Sequence, residues 1–240
     1  MAKIDTKKIA EFYNNIESVW DEKDPWHQYS KSFIQEKISL INWGSYSRIL
    51  NAGSAGNAYG IDENKTIHVD IAEAKIAGKN NAYVASVESM PFKDNYFDAI
   101  ICVGSVINYC DLVTTIKEFA RVLNNEGILI LEYESSFGFE YYNEDYYMSN
   151  ACIVSIPYIH VSHKQWLFSP DYIYATLQNM GFIVQKDYPF HILDGIIYRW
   201  IPEEQSVRLT HLDRIISIIP FFSRHANNHF LICKKVNPSL

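Results

Sequence analysis

Ile49-Leu50-Asn51-Ala52-Gly53-Ser54-Ala55-Gly56-Asn57 is a short apolar run that breaks into a turn of small residues. The run is the length of a buried strand, and Gly53 and Gly56, having no side chain, let a bulky ligand approach the backbone. Nineteen residues after Asn51, the segment His68-Val69 ends on Asp70. In a doubly wound sheet an acid at a spacing of about 20 residues reaches the hydroxyls of a ribose, because a carboxylate accepts two hydrogen bonds from a vicinal diol. Turn and acid together point to an adenosine-bearing ligand. Taken singly, each also suits an ordinary βα turn and a helix-capping aspartate, and the turn lacks the full G-x-G-x-x-G fingerprint.

The rhythm continues on both sides of this stretch. Strand-like runs at 48–51, 66–70, 82–85, 97–103 and 127–133 alternate with helical or loop segments, as in βαβ units around a parallel sheet. Between the last two, 112–123 reads as a helix with Leu112, Ile116, Phe119, Ala120 and Leu123 on one stripe, capped by Asp111. Upstream, 5–42 reads as two helices joined by the charged turn Asp21-Glu22-Lys23-Asp24-Pro25. Downstream, Ser169-Pro170-Asp171 starts a helix that Gly181 stops. Then come a strand-like Phe182-Ile183-Val184, a mostly helical stretch from Pro202 to Phe222, and a final strand at 229–235.

Composition narrows the function. At 240 residues and 48% hydrophobic content, the chain suits one large packed domain. A net charge of -7 gives no basic footprint for nucleic acid. The longest apolar run, Ile215 to Phe222, is too short to span a bilayer and the N-terminus lacks a secretory pattern, so the expected location is cytoplasmic. Cys102, Cys110, Cys152 and Cys233 are too widely spaced for a disulfide framework or a metal knuckle, so buried thiols and no metal are expected.

Two further segments carry a resemblance. Ser86-Val87-Glu88-Ser89-Met90-Pro91-Phe92-Lys93-Asp94-Asn95-Tyr96-Phe97-Asp98 and Glu118-Phe119-Ala120-Arg121-Val122-Leu123-Asn124-Asn125-Glu126-Gly127 follow the turn and Asp70 in order. With them the chain resembles the class I S-adenosylmethionine-dependent methyltransferases, in particular the small-molecule group that includes the ubiquinone-type enzymes. The match runs from about Phe12 to Leu131, with looser agreement at 168–184 and 229–235. It implies a doubly wound, mostly parallel, seven-stranded Rossmann-like α/β sheet with an antiparallel C-terminal strand, forming one domain over 1–240 with an N-terminal helical lid at 1–44. It also implies S-adenosyl-L-methionine as cofactor.

By the resemblance, Asn51, Ala52 and Gly53 would lie against the methionine part of the cofactor and Asp70 would hold the ribose diol. Ile71 would pack on the adenine and Ser86 and Val87 would contact its edge. Gly104 and Ser105 would floor the site near the sulfonium, and Tyr13 and Trp20 would close over it. Asn51 and Ser86 stand where the family carries acids, and Ala55 and Asn57 where it carries glycines.

Ten aromatics fall between Tyr133 and Phe168. That insertion and the stretch 194–222 are expected to cover the strand ends, and their composition suits a small aromatic or hydrophobic methyl acceptor. An aromatic lid packed on the sheet, or a dimer contact, is the alternative. The acceptor atom is expected to be oxygen or nitrogen; if it must lose a proton, His160 or His163 can act as base, with Glu134 and Glu140 weaker candidates as carboxylates expected to be exposed. Rival readings are a nicotinamide-dependent dehydrogenase, which shares the strand-turn-acid opening, and a non-catalytic protein that keeps the fold.

Overall fold

The computed structural model describes residues 4–159 and 161–236, and His160 lies outside them. Seven strands form one sheet: β1 (Ile49–Ala52), β2 (Thr66–Asp70), β3 (Ala82–Val84), β4 (Phe97–Cys102), β5 (Leu123–Glu134), β8 (Phe182–Phe190) and β9 (Asn228–Lys235). Their order is β3-β2-β1-β4-β5-β9-β8. The first five are parallel, and β9 runs antiparallel between β5 and β8. This is the mixed seven-stranded sheet expected above. The order reverses between β1 and β4, and a crevice opens beyond the strand ends at such a reversal.

Helices cover both faces because neighbouring residues of the central strands point opposite ways. Leu50, Ile100, Leu129 and Leu131 pack with Ile116 and Phe119 of α4 (Leu112–Val122) and Ile173 and Leu177 of α5 (Pro170–Asn179). On the other face Ile49, Ile101, Ile130 and Phe230 meet Ile34 and Ile38 of α2 (Pro25–Ser39). Caps fix where these helices begin: Asp24 accepts from His27 N, Asp111 from Thr114 N and Ser169 from Tyr172 N. Ile38 is fully buried, so Ile38→Ala should cost about 2–5 kcal/mol in urea unfolding. A loss under about 1 kcal/mol would show that α2 is not docked on the sheet.

The two motif segments owe their residue types to one side chain. Arg121 donates to both carboxylate oxygens of Glu118, to Asp94 Oδ1 at 2.7 Å, and to the carbonyls of Phe92 and Met90. Glu118 in turn accepts from Met90 N at 2.7 Å. The loop before β4 is thereby tied to α4, and the Pro-Phe-x-Asp and Glu-x-x-Arg patterns form one structural clamp.

Two regions differ from the sequence reading. The aromatic insertion contains a two-stranded antiparallel hairpin, β6 (Ala151–Tyr158) with β7 (Val161–Phe168). Its alternation of Ile153, Ser155 and Pro157 with Val154 and Ile156 is a strand signal that the aromatic count obscured. The stretch from 193 to 224 is broken into single turns, among them α6 (Leu193–Ile197), α7 (Glu203–Ser206), α8 (Asp213–Ile216) and α9 (Pro220–Arg224). α1 (Thr6–Asn15) and a one-turn α3 (Glu73–Ile76) complete the helices used below.

Candidate active site

The exits of β1, β2, β4 and β5 open on a cavity of about 410 Å³, closed by α1, α2, the β6–β7 hairpin and residues Tyr198 and Glu203. That volume is in the range of small-molecule sites. On the β1–β2 side Asp70 is its central polar group. Asp70 is 8% exposed and accepts from Ala55 N and Ala72 N, each at 2.8 Å, which fixes the turn after β1 on the turn after β2. Burial raises its pKa, with those N–H groups pulling the other way.

Gly53 and Gly104 both have positive φ, +69° and +79°. A Cβ on Gly53 would lie 2.4 Å from a Val106 methyl, so the space this glycine leaves is filled by the protein itself. At Gly104 a Cβ would meet only the Trp20 ring, at 3.6 Å. Trp20 is 8% exposed, and its Nε1 has no hydrogen-bond partner among the described residues. Tyr13 donates to the Tyr109 hydroxyl at 3.3 Å, and burial pushes the Tyr13 phenol up to about 12.

Of the residues singled out from the sequence, Tyr13, Trp20, Gly53, Asp70, Ile71, Ser86, Val87, Gly104 and Ser105 all line the cavity. Asn51 and Ala52 are not among its lining residues and are each 1% exposed. The Asn51 amide is occupied elsewhere, donating to Asn57 O at 2.7 Å and so latching the turn. His163 does not line the cavity either; it stands behind Tyr109, whose hydroxyl is 2.7 Å from His163 Nε2, and burial lowers its pKa. His160 falls outside the described residues.

Among the described residues, the histidine that lines the cavity is His27. Its Nδ1 is 2.5 Å from Asp24 Oδ2, and its ring lies 4.7 Å from that of Tyr158. Burial favours the neutral Asp24 acid, but hydrogen bonds and charge attraction from His27 outweigh it and hold Asp24 at about 2. An ionised Asp24 only accepts, so Nδ1 carries the proton, and in the neutral ring the lone pair is on Nε2. Asp24 therefore both starts α2 and orients its third residue. The Asp-Pro-x-His order carried this signal, since an N-cap aspartate faces the side chain three positions on.

β5 contributes two carboxylates to the cavity, Glu132 and Glu134, and the turn after it a third, Glu140. Glu132 is 1% exposed, accepting from Ser105 N at 2.6 Å and Asn228 Nδ2 at 2.8 Å. Glu134 accepts from the Tyr141 hydroxyl and from Gln165 Nε2 at 2.5 Å. Glu140 accepts from Asn227 Nδ2 at 2.9 Å. Contrary to the expectation from sequence, neither Glu134 nor Glu140 is an exposed carboxylate. Burial raises the pKa of all three, and repulsion from Glu134 and Asp194 helps bring Glu140 to about 8.

Residues 41–131 match the family described as methyltransferase domain. Two proteins of Methanocaldococcus jannaschii are similar in sequence. MJ1252 is 31% identical over 136 residues, 51% of this chain and 50% of that protein, and MJ0638 is 26% identical over 140 residues, 52% and 60%. The chain thus spans about half the length of the first and three-fifths of the second.

Among solved structures, the 1,6-didemethyltoxoflavin-N1-methyltransferase of Burkholderia thailandensis, with 1,6-didemethyltoxoflavin and S-adenosylhomocysteine bound, superposes with a TM-score of 0.59 at 12% identity over 99% of this chain and 92% of its own. The geranyl diphosphate C-methyltransferase of Streptomyces coelicolor A3(2), which holds Mg2+, geranyl diphosphate and S-adenosyl-L-homocysteine, gives 0.61 at 11% identity over 96% and 97%. The (4+2)-cyclase SpnF gives 0.60 at 13% identity over 99% and 100%, so the shared fold also serves other chemistry. Residues 41–131 therefore carry a methyltransferase domain, and the chain as a whole has the fold of the class I S-adenosylmethionine-dependent methyltransferases.

Proposed function

We propose that the chain binds S-adenosyl-L-methionine at the β1, β2 and β4 exits and transfers its methyl group to an oxygen or nitrogen of a small aromatic or hydrophobic molecule. The observation that carries this reading is the continuity of the cavity. One space joins Asp70 and the residues after β2 to His27 and the carboxylates after β5.

The residues present suit the cofactor. Asp70 keeps lone pairs for a ribose diol beside its two backbone donors. Gly104 leaves open backbone under the Trp20 ring, and that ring has a free donor. Ile71 and Val87 offer apolar walls for a purine, and the Ser86 hydroxyl offers a hydrogen-bonding group at its edge. Glu132 supplies a carboxylate under Ser105, at the β4 and β5 exits. The cofactor, when bound, presents a methyl group on a positively charged sulfur; the acceptor lone pair forms the new bond to carbon, and the electrons of the broken bond stay on sulfur.

The chain's own contribution is placement, exclusion of water and movement of one proton. α1 and the hairpin cover the strand exits, with Tyr158 of β6 hydrogen-bonded to Val19 O at 2.6 Å. His27 Nε2, oriented through Asp24, takes the proton that an acceptor hydroxyl or amine must lose.

Calorimetric titration tests the reading: S-adenosylmethionine and S-adenosylhomocysteine should bind with one-to-one stoichiometry and NADH should not. Binding of NADH alone would support the dehydrogenase, and binding of none the non-catalytic alternative. Glu132→Gln gives a sharper result, because it removes a charge while keeping the shape. It should weaken the sulfonium-bearing ligand about tenfold and the neutral thioether far less. Equal losses for both would show that Glu132 acts only through packing.

A further inference from the structure

The cavity's charge and its aromatic walls select the acceptor. Beyond the cofactor end, the lining carries Asp24, Glu134, Glu140 and Glu203, and the one lysine lining it among the described residues, Lys75, donates to the carbonyls of Ile16 and Glu17. Among the described residues no arginine lines it. A carboxylate or phosphate acceptor placed there would meet like charges with no free cation to pair with. A cation would meet carboxylates and the rings of Trp26, Tyr141, Tyr158 and Tyr198, all of which line the same space.

Resting on the methyltransferase reading of this cavity, we propose that the methyl acceptor is a protonated amine bearing an apolar or aromatic group, with Glu134 and Glu140 holding the ammonium and the aromatic walls holding the rest. Both carboxylates are pre-positioned. Glu134 is held by Tyr141 and Gln165, and Glu140 by Asn227, with Arg199 bonded to the Glu140 carbonyl. The Trp26 wall is equally fixed. Its ring stacks on His191 with centroids 3.8 Å apart and planes 1° apart, and His191 is clamped between Asp194 and Ser30 Oγ.

The upward shift of Glu134 and Glu140 fits the same account. Burial raises Glu140 most, repulsion from Glu134 and Asp194 adds to it, and Arg199 and Asn227 pull the other way without offsetting it. His27 and His191 pull Glu134 downward, along with Tyr141 and Gln165, yet burial prevails. An ammonium ion in this space supplies the missing positive charge. For transfer, the ammonium gives one proton to His27 Nε2, which frees the nitrogen lone pair for the methyl carbon. The product is a methylammonium ion that keeps the other two protons, the one proton given up passes from His27 to solvent, and no oxidant or metal is required.

The test uses the full chain and three probes of matched shape: 2-phenylethylammonium, 2-phenylethanol and 3-phenylpropionate. S-adenosylhomocysteine is titrated first, then each probe into the saturated protein. The ammonium should bind at least about tenfold more tightly than the alcohol and the carboxylate should be the weakest. Glu140→Gln, which retains the shape, should shrink the preference about tenfold. Incubation with S-adenosylmethionine should add one methyl mass to the amine. If S-adenosylhomocysteine binds and the alcohol or the carboxylate matches the ammonium, or the three do not differ, the amine proposal is overturned and the cofactor reading stands. If S-adenosylhomocysteine does not bind, the reading beneath the proposal fails.

Discussion

His27→Ala should lower turnover by about 10²–10⁴-fold, the usual contribution of a placed acid or base. The loss should fall mainly on kcat, because the ring lies beyond the cofactor end and its proton matters only as the acceptor reacts. The backbone cap survives the substitution, since Asp24 accepts from the His27 N–H as well as from the ring. α2 should therefore stay in place, with an unchanged urea midpoint as the check. Asp24→Asn should give a smaller fall in kcat, because it removes the charge that orients the imidazole but leaves the imidazole itself. Wild-type turnover in His27→Ala would transfer the base to another group, and Tyr109 backed by His163 is the next pair that reaches the cavity.

Asp70→Ala should weaken S-adenosylhomocysteine by about 10- to 150-fold, the equivalent of about 1.5–3 kcal/mol for hydrogen bonds to a charged group. Stability of the ligand-free protein moves less than that. Ala55 N and Ala72 N lose their acceptor, but a carboxylate buried at a cost is removed with it. The sign with pH follows. Burial raises the folded pKa of Asp70 above its ordinary 3.8, against the hydrogen bonds from the Ala72, Ala55 and Ile71 N–H groups and a smaller attraction from Lys75. The native protein therefore benefits below the unfolded value and loses that benefit as pH rises through the folded one. The stability gap between wild type and Asp70→Ala should be wider at pH 4 than at pH 7. An unchanged affinity for S-adenosylhomocysteine would remove Asp70 from the site.

The parts legible in the sequence are those fixed locally. β1 and β4 announce themselves as short, mostly apolar runs because both faces are covered, and α4 by its stripe and its Asp111 cap. The clamp around Arg121 is also local enough to read as two motifs, although its physical role, tying a loop to a helix, is visible only in three dimensions. Gly53 lines the cavity, and its missing side chain also makes room for Val106, which the sequence does not reveal.

What escaped depends on segments far apart in the chain. Glu134 and Glu140 look like surface carboxylates until Gln165 of β7 and Asn227 close over them. His27 takes its place because α2 lines the cavity and the distant hairpin brings Tyr158 over its ring. His163 suffered the reverse fate. Its place in an aromatic segment suggested access to the substrate, but Tyr109 stands in front of it.

A crystal structure grown with S-adenosylhomocysteine would test the central claim most directly. The account predicts the ribose hydroxyls on Asp70, the purine between Ile71 and Val87, and the sulfur above Gly104, facing the space that His27 and Glu140 share. A nucleoside bound anywhere else, or an Asp70 that holds only Ala55 and Ala72 while the ligand is bound, would contradict it.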